Sequence, residues 1–164
     1  MFSSMRFLLG VGLIVYAFDQ ATKWWIVLTM PFEDRREVIP GFFDLVHWGN
    51  TGAAFSFLRG NNSFFIGLSL VAFVVLLVLS ARGAFRDRWT RWGAALLLGG
   101  ILGNVTDRIA HGHVVDFLLF DLHVRFADPW PAFNIADSAI VIAVGLFLIS
   151  SFQEEKARRR ATVA

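Results

Sequence analysis

The sequence predicts an all-α membrane protein: four transmembrane helices carrying a small extracytoplasmic β-sheet. Three observations predict it. Of the 164 residues 56% are hydrophobic, with a mean hydropathy of +0.59, and the 17% that are charged gather between long apolar runs. A soluble domain needs charge along its whole length. Four of the runs are long enough to cross a hydrocarbon core of about 30 Å, which takes about 20 helical residues. Lys and Arg, finally, are shared unequally between alternate connections, the signature of an oriented membrane chain.

The first run, about 7–29, follows Arg6 and contains Asp19 and Lys23. Its length, its internal charges and the lack of a small-x-small exit mark a retained helix, not a cleaved leader. The second, about 63–81, carries no charge. The third, about 92–110, holds Gly99 and Gly103, either a small-xxx-small pair for close backbone approach or glycines a membrane helix simply tolerates. The fourth is about 134–152, and the basic segment after it reads as solvated. Residues 37–49, EVIPGFFDLVHWG, have β-type composition around a Pro-Gly turn, and 121–127, DLHVRFA, alternate as a strand does. All of 1–164 reads as a single integral membrane domain.

One side of the membrane receives Arg6, Arg82, Arg86, Arg88, Arg91, Lys156, Arg158, Arg159 and Arg160, nine in all. The other receives five: Arg35, Arg36, Arg59, Arg108 and Arg125, mixed with acids. Both termini are therefore expected in the cytoplasm, with loops 30–62 and 111–133 outside and Trp24, Trp25, Trp48 and Trp130 near the outer interface. A net charge of +2 speaks against nucleic acid as a partner. The absence of cysteine excludes disulfides, Cys nucleophiles and thiolate metal sites.

That orientation gathers the polar groups. Asp19, Lys23, Asn104, Asp107 and Arg108 fall in the outer thirds of helices 1 and 3, Asn134 and Asp137 in the first turn of helix 4, and Asp116 just after helix 3. A carboxylate in hydrocarbon costs about 2.5–3.5 kcal/mol, so such a group marks a functional site by default. Asp19 and Lys23 have the i,i+4 spacing of a helix ion pair. Asp107 and Arg108 are adjacent, so they point to different faces and pair with neighbours. Asn104 and Asn134 either bond between helices or orient a substrate, and Asn134 is also placed to cap helix 4. Asp116 and Asp137 have no basic partner in their own segments. Two carboxylates held close in a low dielectric share a proton, the arrangement of an aspartic protease; alternatively each pairs separately with Arg108, Lys23 or Arg125.

Other chemistries fit less well. His111, His113 and His123 with Asp116 lack the HExxH helix of a membrane metalloprotease. A Ser–Lys dyad of Lys23 with Ser56 or Ser138 competes with the Asp19 pair and has no nucleophile elbow. A proton or ion transporter calls for polar residues through both leaflets, often in paired repeats, and this chain has neither.

The motifs DQATK (19–23), NTGAAF (50–55), GGILGNVTDR (99–108), VVDF (114–117) and FNIADS (133–138) resemble, in order and over essentially the whole chain, the lipoprotein signal peptidase (signal peptidase II) family. The resemblance implies an aspartic endopeptidase of the bacterial inner membrane, multi-pass and monomeric, that uses neither metal nor organic cofactor. It implies that Asp116 and Asp137 are the catalytic dyad. Asp19, Lys23, Asn50, Gly52, Asn104, Asp107, Arg108 and Asn134 follow as substrate-orienting or structural positions. It implies as partners membrane lipid and prolipoprotein substrates bearing a diacylglyceryl group, cut just before the lipidated cysteine, with a flap over the site.

Topology is directly testable. Reporters fused after Arg88 and after Arg160 are expected to read cytoplasm, and those within 33–37 periplasm. A periplasmic signal from the 82–91 loop would remove the shared depth of the polar groups.

Overall fold

The computed structural model describes residues 2–52, 60–124 and 130–163. Its elements run α1 (Phe2–Thr29), β1 (Arg35–Ile39), β2 (Phe43–Asn50), α2 (Asn62–Ala81), α3 (Arg88–His111), β3 (Val114–Phe120) and α4 (Ile135–Val163). Each expected apolar run is a helix. α4 goes further than expected: the basic segment after 152 is exposed but stays helical, with Glu155 and Arg159 paired at 2.7 Å one turn apart. Among the described residues α2 and α4 are long and apolar enough to cross a membrane. In α1 and α3 the apolar sequence is interrupted by Asp19, Lys23, Asp107 and Arg108.

The molecule is apolar on the outside of its helices. α2 exposes Leu68, Leu70, Val71, Val74 and Val75 and buries only Leu76 and Ser80. Buried positions elsewhere include Asp19, Lys23, Asp107, Arg108, Asp116 and Asn134. This inversion suits a lipid solvent, in which exposed apolar side chains cost nothing and polar groups must be satisfied internally.

α3 is the central helix, and its small residues make it so. A Cβ at Gly99 would meet Val15 and the Gly12 carbonyl of α1; one at Gly100 would meet the Ala136 carbonyl and Ile140 of α4. Gly103 lies directly against the Asp19 carboxylate and the Ala136 methyl. The glycines are therefore contact surfaces for close-packed backbones. At its start α3 is capped by Asp87, which accepts from Trp89 N at 2.7 Å and Thr90 N at 3.1 Å and from Ser150 Oγ of α4 at 3.0 Å. At its end Gly112, with φ +77°, takes the left-handed conformation that stops a helix, and the chain turns at once into β3.

The sheet is antiparallel in the order β1-β2-β3. β1 and β2 form the hairpin expected around Pro40-Gly41, with Gly41 at φ +66°. The third strand is not where composition placed it. Asp121, Leu122 and His123 are outside any strand, 125–127 lie outside the described residues, and the strand is Val114–Phe120 instead. VVDFLLF hides its alternation because both faces are covered. Val115 and Phe117 pack on Ile26 of α1 and on Met30 just after it, whereas Val114 and Asp116 face a cavity. His47 Nδ1, donating to Met30 O at 2.9 Å, pins β2 to the end of α1. Loop residues Ala53–Phe55, Ser56, Arg59 and Arg125 also lie outside the described residues.

Gly103→Ala is expected to lower stability by about 1–3 kcal/mol, since the added methyl collides with a carboxylate that is itself fixed. Gly145→Ala, whose Cβ would meet nothing, is expected to leave it unchanged. Thermal midpoints of the two variants in detergent check the contrast.

Candidate active site

A cavity of about 1080 Å³ opens between the sheet, the C-terminal part of α3 and the N-terminal part of α4. Asn50, Gly52, Asn104, Arg108, Asp116 and Asp137 line it, together with an apolar wall that includes Phe65, Phe133, Ile140 and Val141. Trp48 and Trp130 also face the cavity.

Strand register sets the first carboxylate. Trp48 lies opposite Asp116 and Asn50 opposite Val114, so all four side chains share the cavity face. Asn50 Nδ2 therefore reaches Asp116 Oδ2 at 2.9 Å. Helix capping sets the second. Asn134 Oδ1 accepts from Asp137 N at 2.9 Å, and Asp137 Oδ2 accepts from Asn134 N at 3.3 Å, a reciprocal box at the start of α4. The same Asn134 turns its Nδ2 to Asp116 Oδ1 at 2.8 Å, so one residue bonds both carboxyls, Asp116 through its side chain and Asp137 through its backbone N–H. From α3, Asn104 Nδ2 donates to Asp137 Oδ1 at 2.7 Å.

Beneath this pair lies a buried ionic layer. Lys23 Nζ lies 2.9 Å from Asp19 Oδ2, 2.9 Å from Asp107 Oδ2 and 3.0 Å from Asn104 Oδ1, which uses all three of its protons. Asp19 Oδ1 accepts from Ala136 N at 2.8 Å, and Asp107 Oδ2 from Val115 N at 3.0 Å. Gln20 Nε2 adds bonds to Asp107 Oδ1 at 3.0 Å and to Asp19 Oδ2 at 3.2 Å. Sequence reasoning missed Gln20. Its only signal was its place between Asp19 and Lys23.

Arg108 takes another course. Its Nη2 donates to Gly52 O at 2.8 Å, its Nη1 to Asn62 Oδ1 at 3.3 Å, and its guanidinium stacks on Phe65 at 4.6 Å. Asn62, also unforeseen, returns a bond to Arg108 O at 2.9 Å. Separate ion pairing of the two acids with Lys23 or Arg108 is thus not the arrangement found among the described residues. Those cations make their bonds elsewhere, and the bonds to Asp116 and Asp137 come from amides. Ser138 Oγ donates to Asn134 O at 3.0 Å and has no contact with Lys23. His113 packs on Phe32 and against Gly49, away from Asp116.

Burial first, and then the charge of Asp137, push the Asp116 carboxyl up to about 8, against the pull of Asn50, Asn134 and Lys23. A carboxylic acid that keeps its proton at neutral pH, beside a second carboxyl in the same cavity, can serve a water molecule as acid and base together.

A family model described as "Signal peptidase (SPase) II" matches residues 11–153. A lipoprotein signal peptidase of Neisseria meningitidis is 41% identical over 154 residues, covering 89% of this chain and 92% of its own. One from Nostoc punctiforme is 42% identical over 141 residues, covering 86% of each. A solved structure described as a bacterial membrane enzyme superposes with a TM-score of 0.81 at 33% identity, covering 90% of this chain and 88% of its own. A second so described gives a TM-score of 0.76 at 34% identity, covering 87% and 90%.

Because the folded chain holds the Asp116 proton far above the ordinary value of 3.8, this group's stabilisation is complete below about 3.8 and is lost as pH rises through about 8. Melting in detergent from pH 5 to 9 is expected to show a decline that Asp116→Asn makes shallower. An unchanged slope in that variant would show that Asp116 is not the source.

Proposed function

This chain belongs to the signal peptidase II family, and from that premise we propose that it is an aspartic endopeptidase that removes the signal peptide from diacylglyceryl-modified prolipoproteins, cutting just before the lipidated cysteine. One observation carries the mechanism: Asp116 and Asp137 face one cavity with amide donors on both and, among the described residues, no cation bonded to either.

The pair enters the cycle with one proton between them. The ionised carboxylate takes a proton from water as the water oxygen bonds to the scissile carbonyl carbon. The protonated one gives its proton to the carbonyl oxygen. The resulting gem-diol collapses when the first acid protonates the leaving nitrogen, the C–N bond breaks, and the second takes a proton back from a hydroxyl. Products are a carboxylic acid and an amine, and the pair regains its starting state. Asn50, Asn104 and Asn134 hold the two carboxyls in register during these transfers. The chemistry calls for neither metal nor organic cofactor.

The same reading assigns all four helices as membrane spans in a single domain over 1–164. Both termini lie in the cytoplasm and the cavity lies at the outer leaflet of the inner membrane, in a monomer. Two features support it. The uncharged α2 and the apolar stretch of α4 are each long enough to span, and α1 and α3 bury Asp19, Lys23 and Asp107 against one another. A lipidated substrate is anchored at that depth. The apolar wall of Phe65, Phe133, Ile140 and Val141 suits a signal segment and acyl chains, while the open cavity admits water.

Asp116→Asn and Asp137→Asn are each expected to reduce turnover by about 10³-fold or more with folding and substrate binding retained, because the amide keeps the size and cannot transfer the proton. Asp19→Asn is expected instead to lose about 1.5–3 kcal/mol of stability, the worth of a hydrogen bond to a charged group, with turnover per folded molecule largely kept. Cleavage of a diacylglyceryl-modified prolipoprotein, with the cut located by mass spectrometry, reads all three. A dyad variant with near-normal turnover would sink the proposal.

A further inference from the structure

Three asparagines touch the two acids, and each is oriented by a donor that cannot be reversed. Lys23 Nζ has only protons to offer, so the Asn104 atom 3.0 Å from it is oxygen, and the NH₂ must face Asp137. The Asp137 backbone N–H fixes Asn134 in the same way, leaving its NH₂ for Asp116. The Gly52 N–H, 2.9 Å from Asn50 Oδ1, fixes the third.

The two carboxyls are nevertheless not equivalent. Asp137 lies in the first turn of α4, where the free N–H groups and the helix dipole favour negative charge. Its Asn104 donor is polarised by an ammonium on the far side, which strengthens a bond already as short as 2.7 Å. It also lines the cavity and is less fully buried than Asp116. Asp116 lies on a strand, is 3% exposed, and receives neutral amides fixed by backbone groups alone. The charged groups around the pair are Lys23 and Asp19 from α1 and Asp107 and Arg108 from α3. Lys23 acts on Asp137 both through space and through the Asn104 amide.

On the reading that Asp116 and Asp137 are the dyad, we propose that the dyad is asymmetric. Asn104, locked by Lys23, is a positioning residue that holds Asp137 as the ionised member that deprotonates water, and Asp116 carries the proton given to the scissile carbonyl oxygen. Each step balances as above, with the base now Asp137 and the acid Asp116.

The assignment makes opposite predictions for two asparagines. The acid limb of the rate profile is protonation of Asp137, and the alkaline limb is ionisation of Asp116. Removing a donor from an anion raises the pH at which that anion forms. Asn104→Ala is therefore expected to move the acid limb up by about one to two pH units and leave the alkaline limb in place. Asn50→Ala is expected to move the alkaline limb up and leave the acid limb in place. The experiment follows kcat/KM against pH for the full-length protein and both variants in micelles. It uses a peptide containing S-diacylglyceryl cysteine and normalises to the folded fraction from thermal melting. Both variants keep the Lys23 bridges to Asp19 and Asp107, so folding should survive. Exchanged limbs would reverse the assignment, and an unmoved acid limb in Asn104→Ala would end the positioning role. Failure of the dyad reading itself looks different: Asp116→Asn or Asp137→Asn would cleave normally, whatever the asparagine variants do.

Discussion

The rest of the molecule depends on one buried ammonium. Lys23 comes from α1, takes Asp19 from its own helix and Asp107 from α3, and through those two carboxylates reaches Ala136 N of α4 and Val115 N of β3. Four elements thus meet on a layer of three charges. Moving such charges out of water costs several kcal/mol each, so they stay only where every lone pair and proton has a partner. Here each does. The close approach this demands is what Gly99, Gly100 and Gly103 provide, and larger residues on α3 would hold the partners apart.

That layer also explains how two acids can face a cavity without being neutralised by nearby cations. Lys23 is saturated from below, and Arg108, which lines the same cavity, spends its hydrogen bonds on Gly52 and Asn62 and stacks on Phe65. What reaches Asp116 and Asp137 from side chains is amide N–H. An amide holds a carboxyl in place without cancelling its charge, so the proton between the acids stays available for transfer.

Sequence alone reached a good part of this. The helices were legible because length and hydropathy suffice to mark them, and the Asp19–Lys23 bridge and the Asn134 cap because both are local, within four residues. The β1–β2 hairpin was legible from Pro40-Gly41. β3 was not. In VVDFLLF both faces of the strand are covered, which erases the period of two, whereas DLHVRFA shows an alternation with no strand at Asp121–His123. The side-chain network was legible only as a gathering of polar residues at one depth. That Asn104 bridges Lys23 to Asp137, or that Gln20 serves both Asp19 and Asp107, depends on how three helices rotate against one another, which no local pattern encodes.

Every polar group around the two acids has a second occupation. Asn134 caps α4, Asn50 fastens the Gly52 loop, Asn104 completes the coordination of Lys23, and Asp107 holds the start of β3. None can be exchanged without loosening a piece of scaffold, so the reactive half of the cavity has almost no freedom to drift. The apolar half is under less restraint. Phe65 is held by Arg108 and Ile140 by Gly100, but the largely exposed Val141 can change volume at small cost. Divergence among descendants of this chain should therefore collect on the greasy wall. A compound that gripped only that wall would leave room for escape by substitution, and one that bonded the asparagines would not.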